Sequence, residues 1–219
     1  MKKEQILLKT SSHQARAILL LPPKAKKMGV VIAHGAGGNM HASFIAYFHE
    51  RIAEEGYPCL KFNFPYSDAG KKAPDPQPVL LACFQKAMEA MPSGPLMIGG
   101  KSMGGRMASY LGNDDRVLGL FFLGYPLHPP GKPDQLRDEH LYSIHKPMFF
   151  ASGTKDPFAR IELLNATIGR IGKYATKYLI EEGGHSFDVP KKSGKSSDEI
   201  LDLVLKELLS FLERVSQSV

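Results

Sequence analysis

A serine between glycines is the residue in this sequence with the clearest capacity for chemistry. Ser102 lies in Gly100-Lys101-Ser102-Met103-Gly104, which fits the pattern G-x-S-x-G and follows an apolar run. Glycines two residues before and after a serine let the backbone bend sharply, which lifts the hydroxyl above the end of a strand. A hydroxyl in that position becomes a nucleophile when a base reaches its proton. Alone, the pattern is weak evidence, because glycine and serine are common in ordinary turns.

An acid and a histidine occur later in the chain, each after an apolar run typical of a strand. Asp156 follows residues 147–151, and His185 follows residues 176–180. A neutral histidine can take the proton of a serine, and a carboxylate fixes the tautomer of that histidine and stabilises the imidazolium. The order Ser102, Asp156, His185 therefore predicts a catalytic triad. The competing acids and histidines do not hold these positions after the penultimate and last strands: Asp134, Asp138, Asp188, His128, His140 and His145.

Attack by the serine on a carbonyl would create an oxyanion that needs hydrogen-bond donors. In this kind of turn one donor is the backbone N–H of the residue after the nucleophile, here Met103. The other is expected from the glycine-rich residues 34–38, at Ala36 or Gly37, where small side chains leave N–H groups accessible. His34 in the same stretch is interpreted as a structural residue that steadies the loop.

The elements that must position these residues alternate between strand and helix patterns. Strands are predicted at Gln14–Leu21 and at residues 30–33, 59–64, 96–99, 117–123, 147–151 and 176–180. Helices are predicted at residues 40–55, 79–91, 103–111 and 158–171, with a last helix that opens at Ser196. This alternation predicts an α/β fold, a mostly parallel sheet with helices on both faces, in one domain of residues 1–219. In such sheets ligands bind beyond the carboxyl ends of the strands, where the candidate residues lie.

Composition excludes several classes of protein. The chain has 219 residues, of which 43% are hydrophobic and 23% charged, as expected of a globular protein. The net charge of +6 is spread along the sequence without basic clusters, so nucleic-acid binding is not predicted. Cys59 and Cys83 lie in apolar stretches, which favours reduced thiols and a cytoplasmic location. Neither a signal peptide nor a membrane span is predicted.

Metal and cofactor chemistry are also not indicated. The spacing of His34, His41, His49 and Asp68 matches no zinc site. Residues 34–38 lack the spacing G-x-G-x-x-G of a dinucleotide-binding loop. We therefore expect a small-molecule acyl substrate and no metal or cofactor.

Four stretches, in this order, resemble the α/β-hydrolase superfamily and in particular its small dienelactone-hydrolase-like members. Residues 34–38 are similar to the oxyanion loop, 100–104 to the nucleophile elbow, 153–156 to the acid turn and 183–187 to the histidine turn. The resemblance implies the α/β-hydrolase fold and a serine hydrolase activity. The interval of residues 125–147 is too short for the lid domain that many of these enzymes carry, so no lid is expected.

A narrower resemblance points to a group that includes the animal testis-expressed Tex-type proteins. It rests on residues 100–106 and 124–131. Serine stands where dienelactone hydrolases use cysteine, so their substrate does not carry over. Ester, thioester, lactone, amide and carbon–carbon bonds remain open as the bond cleaved, and so does the oligomeric state.

The leading hypothesis is a carboxylesterase- or thioesterase-type hydrolase that works through an acyl-enzyme. The alternative is a non-catalytic binding or scaffold protein that retains the hydrolase fold. His128 and Tyr66 are candidate substrate contacts near the mouth of the site, although each has a structural reading as part of a loop. Lys101 either points to solvent or biases the site toward acidic substrates.

Overall fold

The computed structural model describes residues 1–217, and within them eight strands form one sheet. The strands are β1 (Lys2–Lys9), β2 (Gln14–Leu21), β3 (Gly29–Ala33), β4 (Cys59–Phe62), β5 (Leu96–Lys101), β6 (Val117–Leu123), β7 (Met148–Gly153) and β8 (Ala175–Ile180). The α-helices are α1 (Ser43–Glu54), α2 (Pro65–Asp68), α3 (Gln77–Glu89), α4 (Met103–Tyr110), α5 (Ile161–Ile171) and α6 (Ser197–Ser216). The order across the sheet is β1-β2-β4-β3-β5-β6-β7-β8. Strands β3 to β8 run parallel, while β2 is antiparallel to both of its neighbours.

This architecture confirms the predicted α/β fold with helices on both faces. Side chains of α3, α4 and α5 pack on one face, and side chains of α1 and α6 pack on the other. Strands β3, β4 and β5 are buried along their whole length, which explains why they are continuous apolar runs rather than alternating patterns.

The topology itself creates the crevice that the site uses. From β3 the chain moves to β4 on one side, and then crosses to β5 on the other side of β3. The loops that follow β3 and β5 therefore leave the sheet edge in opposite directions. A crevice at such a reversal of strand order is the usual ligand site of open α/β sheets.

Strand β1 is a feature that the sequence prediction missed. It pairs only with β2 at the edge of the sheet, and most of its side chains are exposed or half-buried. Exposed lysines at Lys2 and Lys3 are typical of edge strands, where charge discourages pairing with other chains. The strand was not predicted because many of its residues are polar. A weakly buried edge strand does not need a continuous apolar pattern.

Two loops that bear on the site can be compared with their predicted form. The first differs from it and the second agrees with it. Residues 65–78 contain the short helix α2. The strand before it, β4, ends at Phe62, whereas the prediction extended it to Phe64. Between β6 and β7 the only helical element described is the 3₁₀ helix Glu139–Ser143, so no lid domain is inserted there. The last helix opens at its N-cap Ser196, as predicted, with a capping box: the Ser196 hydroxyl accepts the Glu199 N–H at 3.2 Å, and Glu199 accepts the Ser196 N–H at 2.7 Å.

Candidate active site

The turn between β5 and α4 holds Ser102 in an unusual backbone conformation. Its φ is 50° and its ψ is −118°, a region that a residue with a Cβ rarely adopts. The turn closes because Gly100 and Gly104 both pack against the carbonyl oxygen of Ala33 at the end of β3. A Cβ at these glycines would lie 2.2 Å and 2.4 Å from that oxygen. The two glycines of G-x-S-x-G therefore bring the end of β3 and the serine together.

The three residues predicted as a triad form one hydrogen-bonded row. His185 Nε2 lies 2.8 Å from Ser102 Oγ, and His185 Nδ1 lies 2.7 Å from Asp156 Oδ2. The Asp156 side chain is fully buried, whereas 18% of the His185 side chain is exposed. A buried carboxylate can hold the proton on Nδ1, which leaves Nε2 free to accept the serine proton.

Contacts around Asp156 and His185 fix both side chains. Asp156 Oδ1 accepts the backbone N–H of Phe158 at 2.8 Å, so both carboxylate oxygens are engaged. The Phe158 ring lies against the His185 ring with 4.4 Å between centroids. The turns that carry the two residues are joined by the Lys155 N–H, which donates to the Gly183 carbonyl at 2.9 Å.

Of the residues predicted for the oxyanion hole, Met103 and Ala36 lie beside Ser102. Met103 is the first residue of α4, where backbone N–H groups have no partner within the helix. Ala36 lines the space beside Ser102, whereas Gly37 does not. Of these two alternatives, Ala36 is therefore the one that faces the candidate nucleophile.

His34 has the structural role that the sequence suggested. The ring is 1% exposed, and burial lowers its pKa to about 4. A neutral ring fits its two contacts: Nδ1 donates to the Gly35 carbonyl at 2.8 Å, and Nε2 accepts the Phe64 N–H at 3.1 Å. The imidazole thus ties the loop after β3 to the segment after β4.

Lys101 does not point to solvent. The residue is 9% exposed, and its ammonium donates to the carbonyl oxygen of His185 at 2.7 Å. Burial lowers its pKa to about 8, while the charges of Asp156 and Asp188 act in the opposite direction. The side chain therefore braces the turn that carries the candidate base.

The two candidate substrate contacts, His128 and Tyr66, occupy structural positions instead. Each is 1% exposed, and neither lines the cavities beside the serine. His128 Nε2 accepts the Arg160 N–H at 3.1 Å, and its Nδ1 lies 2.9 Å from the Pro129 carbonyl. The Tyr66 hydroxyl donates to the Gly35 carbonyl at 3.4 Å. Both side chains hold loops, and their burial is why we do not retain them as substrate contacts.

Two cavities meet at Ser102. The large cavity, of about 750 Å³, lies on the α1/α6 side and is lined mainly by apolar side chains: Phe44, Ile45, Tyr47, Phe187 and Leu201. The small cavity, of about 240 Å³, lies on the α3/α4 side and is more polar, with Asp75, Gln77, Leu80, Arg106, Met107 and Arg137. Ser102, Met103, His185 and Ala36 line these cavities and were predicted from the sequence, whereas the other lining residues were not.

Within residues 1–217 no group of three or more histidine, cysteine, aspartate or glutamate residues is arranged to hold a metal ion. No helix in that range combines the length and apolar composition that crossing a membrane requires. Cys59 and Cys83 are free and buried.

Comparison with known proteins assigns the fold family. Residues 26–213 match the family described as alpha/beta hydrolase domain. The chain belongs to the α/β-hydrolase family. This membership supports a hydrolytic function.

Solved structures of other α/β hydrolases have a similar fold. An alpha-beta serine hydrolase homologue from Coxiella burnetii is 17% identical with a TM-score of 0.75, over 95% of this chain and 98% of that one. A serine hydrolase without lid from Xanthomonas campestris is 16% identical with a TM-score of 0.74, over 97% and 94%. A dienelactone hydrolase from Anabaena variabilis is 16% identical with a TM-score of 0.72, over 94% and 95%. Identities of this size show a shared fold and leave the substrate open.

Proposed function

We propose that this α/β hydrolase is a serine hydrolase that cleaves an ester-like bond, of the carboxylester or thioester type, through an acyl-enzyme. The row from Asp156 through His185 to Ser102 is the observation that carries the proposal, with both hydrogen bonds shorter than 3 Å. As Ser102 Oγ attacks the substrate carbonyl, His185 Nε2 takes its proton. Asp156 keeps the other ring proton on Nδ1 and stabilises the imidazolium.

The oxyanion of the tetrahedral intermediate would be held by backbone donors. The N–H of Met103 at the start of α4 and the N–H of Ala36 in the loop after β3 are the two candidates. The N-terminal end of a helix carries a partial positive charge, so its position beside the serine favours the developing negative charge.

The cycle is completed by proton return and hydrolysis. The imidazolium of His185 donates its proton to the leaving oxygen or sulfur, and the acyl group stays on Ser102. Water, with its proton taken by the same nitrogen, then attacks the acyl carbonyl and frees the serine. The apolar lining of the large cavity favours substrates in which one side of the scissile bond is hydrophobic.

Replacement of Ser102 by alanine tests this function. We expect kcat/KM for a para-nitrophenyl ester to fall at least about 10⁴-fold, because members of a triad act as a unit. A fluorophosphonate should label the wild type at Ser102 and leave Ser102→Ala unlabelled. Ser210→Ala, on the exposed face of α6, is the matched control and should keep wild-type turnover and labelling.

The competing hypothesis of a scaffold protein makes the opposite prediction. A folded wild-type protein that hydrolyses no ester of a graded acyl panel and resists the fluorophosphonate would support the scaffold and contradict the triad.

A further inference from the structure

The small cavity provides a second space beside Ser102 that a bound substrate can occupy. It shares Ala36, Ser102 and Phe158 with the large cavity, so both spaces open onto the same reacting atoms. The large cavity lies beside α1 and α6, and the small one beside α3 and α4. A group attached to the scissile carbonyl on one side therefore meets mainly apolar walls, and a group on the other side meets walls that carry two arginines.

Two arginines in the small cavity lack partners. Arg106 is on the second turn of α4, and Arg137 is in the loop between β6 and β7. Among the described residues neither guanidinium lies within ion-pair or hydrogen-bond distance of a partner, and the Nε of Arg106 is buried without one. By contrast, the guanidinium of Arg116 donates to three backbone carbonyls. A buried donor without a partner destabilises the free protein, and a bound acceptor would relieve that penalty.

The surroundings of the pair leave an uncompensated positive charge. Asp75 is the carboxylate that lines the same cavity, but it forms no ion pair with either arginine, and its Oδ2 accepts the Tyr66 N–H at 2.8 Å. Burial, and then the charge of Arg106, lower the pKa of Arg137, as expected when two cations approach each other.

The loop that carries Arg137 is held in place. Its backbone N–H donates to the Leu127 carbonyl at 2.8 Å, and its carbonyl accepts the Tyr125 hydroxyl at 2.8 Å. The Tyr125 side chain is itself buried. The backbone at Arg137 is thus organised before any ligand binds, which reduces the entropy lost on binding.

We propose that Arg106 and Arg137 bind a carboxylate or phosphate group of the substrate in the small cavity, while the large cavity takes its apolar part. Guanidinium groups present planar pairs of donors that match the oxygens of these anions. The volume of about 240 Å³ limits the anionic part to a short group. The inference rests on the proposed function, because it assigns the anion to the substrate cleaved at Ser102.

Matched esters that differ by one charge test the proposal. One pair is mono(para-nitrophenyl) glutarate and its methyl ester, with the charge on the acyl side. The other is para-carboxyphenyl acetate and its methyl ester, with the charge on the leaving side, and para-phosphooxyphenyl acetate supplies the phosphate arm. We expect kcat/KM for at least one anionic ester to exceed that of its neutral partner by about 10-fold or more.

Variants connect this preference to the arginines. Arg137→Gln and Arg106→Gln should each lower the anionic-to-neutral ratio about 10-fold, and Arg51→Gln, on the exposed face of α1, should keep it. Arg137→Gln lies outside the nucleophile helix, so it tests the site even if Arg106→Gln folds poorly. A ratio near one in the wild type, or a ratio that neither variant changes, would overturn the proposal.

Binding to Ser102→Ala separates this inference from the proposed function. Calorimetry with glutarate and with inorganic phosphate should detect binding of at least one anion to Ser102→Ala, and Ser102→Ala combined with Arg137→Gln should weaken it about 10-fold. If no ester is hydrolysed but an anion still binds, the hydrolase assignment fails and the anion site stands. If esters are hydrolysed without charge preference and neither anion binds, the anion site fails and the hydrolase stands.

Discussion

The turn that carries the candidate nucleophile and the turn that carries the candidate base are held by different forces. Ser102 sits between fully buried strands, where Gly100 and Gly104 pack against a backbone carbonyl at distances that admit no Cβ. His185 follows β8, the half-exposed edge strand of the sheet, and its turn is braced by the ammonium of Lys101. The first turn is fixed by close packing, which is insensitive to charge, and the second depends on polar contacts that a charge change can alter.

The largest effect is expected from a change that breaks the packing of the nucleophile turn. Gly104→Ala would place a Cβ 2.4 Å from the carbonyl oxygen of Ala33, and the three nearest atoms, Ala33 O, Ala33 C and His34 O, all belong to the backbone and cannot move aside. We expect the free energy of unfolding to fall by roughly 3 kcal/mol, with loss of esterase activity, because overpacking at a buried site forces the backbone to shift. Urea denaturation measures the first effect and ester turnover the second.

Gly169→Ala on α5 is the matched control. A Cβ there meets no atom within 4 Å, so the change should be neutral or stabilising by up to about 1 kcal/mol. Equal changes in the free energy of unfolding of the two variants would show that the contact with Ala33 does not decide the outcome.

The parts of this site that could be predicted from sequence are the ones that local spacing specifies. The glycines around Ser102 and the apolar runs before Asp156 and His185 are short patterns with one dominant structural solution. Because parallel strands place their carboxyl ends at one edge, the strand order then brings distant residues together.

The features of the site that were not predicted from the sequence depend on contacts between distant elements. Arg106 on α4 and Arg137 in the loop after β6 converge in space, but neither position has a sequence pattern that reports the other. The same is true of Lys101, whose direction follows from the position of the His185 carbonyl. Strand β1 was missed for a different reason, since its alternation of charged and apolar residues is weak at an exposed edge.

An effect of intermediate size is expected when the pH is lowered. It tests the loop that packs beside the nucleophile turn. Burial lowers the pKa of His34 to about 4 from an ordinary value of 6.5. Above pH 6.5 the ring is neutral in both folded and unfolded chains; as the pH falls from 6.5 toward 4, only the unfolded chain gains the proton, so stability is lost in this window. From the size of the shift we expect roughly 2 kcal/mol to be lost through His34 by about pH 4.5.

Urea midpoints at about pH 7 and about pH 4.5 measure this loss. His34→Gln should flatten the pH dependence, and the same substitution at the exposed His41 should leave it unchanged. His49 and His140, whose pKa values are also lowered by burial, add to the wild-type slope and remain in both variants. If the urea midpoint changes with pH equally in His34→Gln and His41→Gln, the ring of His34 is not the group that takes up the proton.

The smallest effect, and the one that probes the histidine turn, is expected from Lys101→Met. The substitution keeps the side-chain length but removes the ammonium that donates to the His185 carbonyl. We expect kcat to fall about 10-fold with little change in KM, since the base loses its brace while methionine keeps the length of this side chain, which lines the large cavity. Stability should hold or increase, because burial of the charge is the main unfavourable effect on this lysine.

The pH profile distinguishes this positioning role from general damage. The pKa of Lys101 is lowered to about 8, so wild-type kcat should decline as the pH rises through about 8, and Lys101→Met should lack that decline. Lys155→Met, which removes an exposed lysine next to Asp156, should behave like the wild type. A Lys101→Met protein with unchanged kcat would mean that the histidine turn is held by its backbone alone, as the nucleophile turn is, and the contrast between the two turns would disappear.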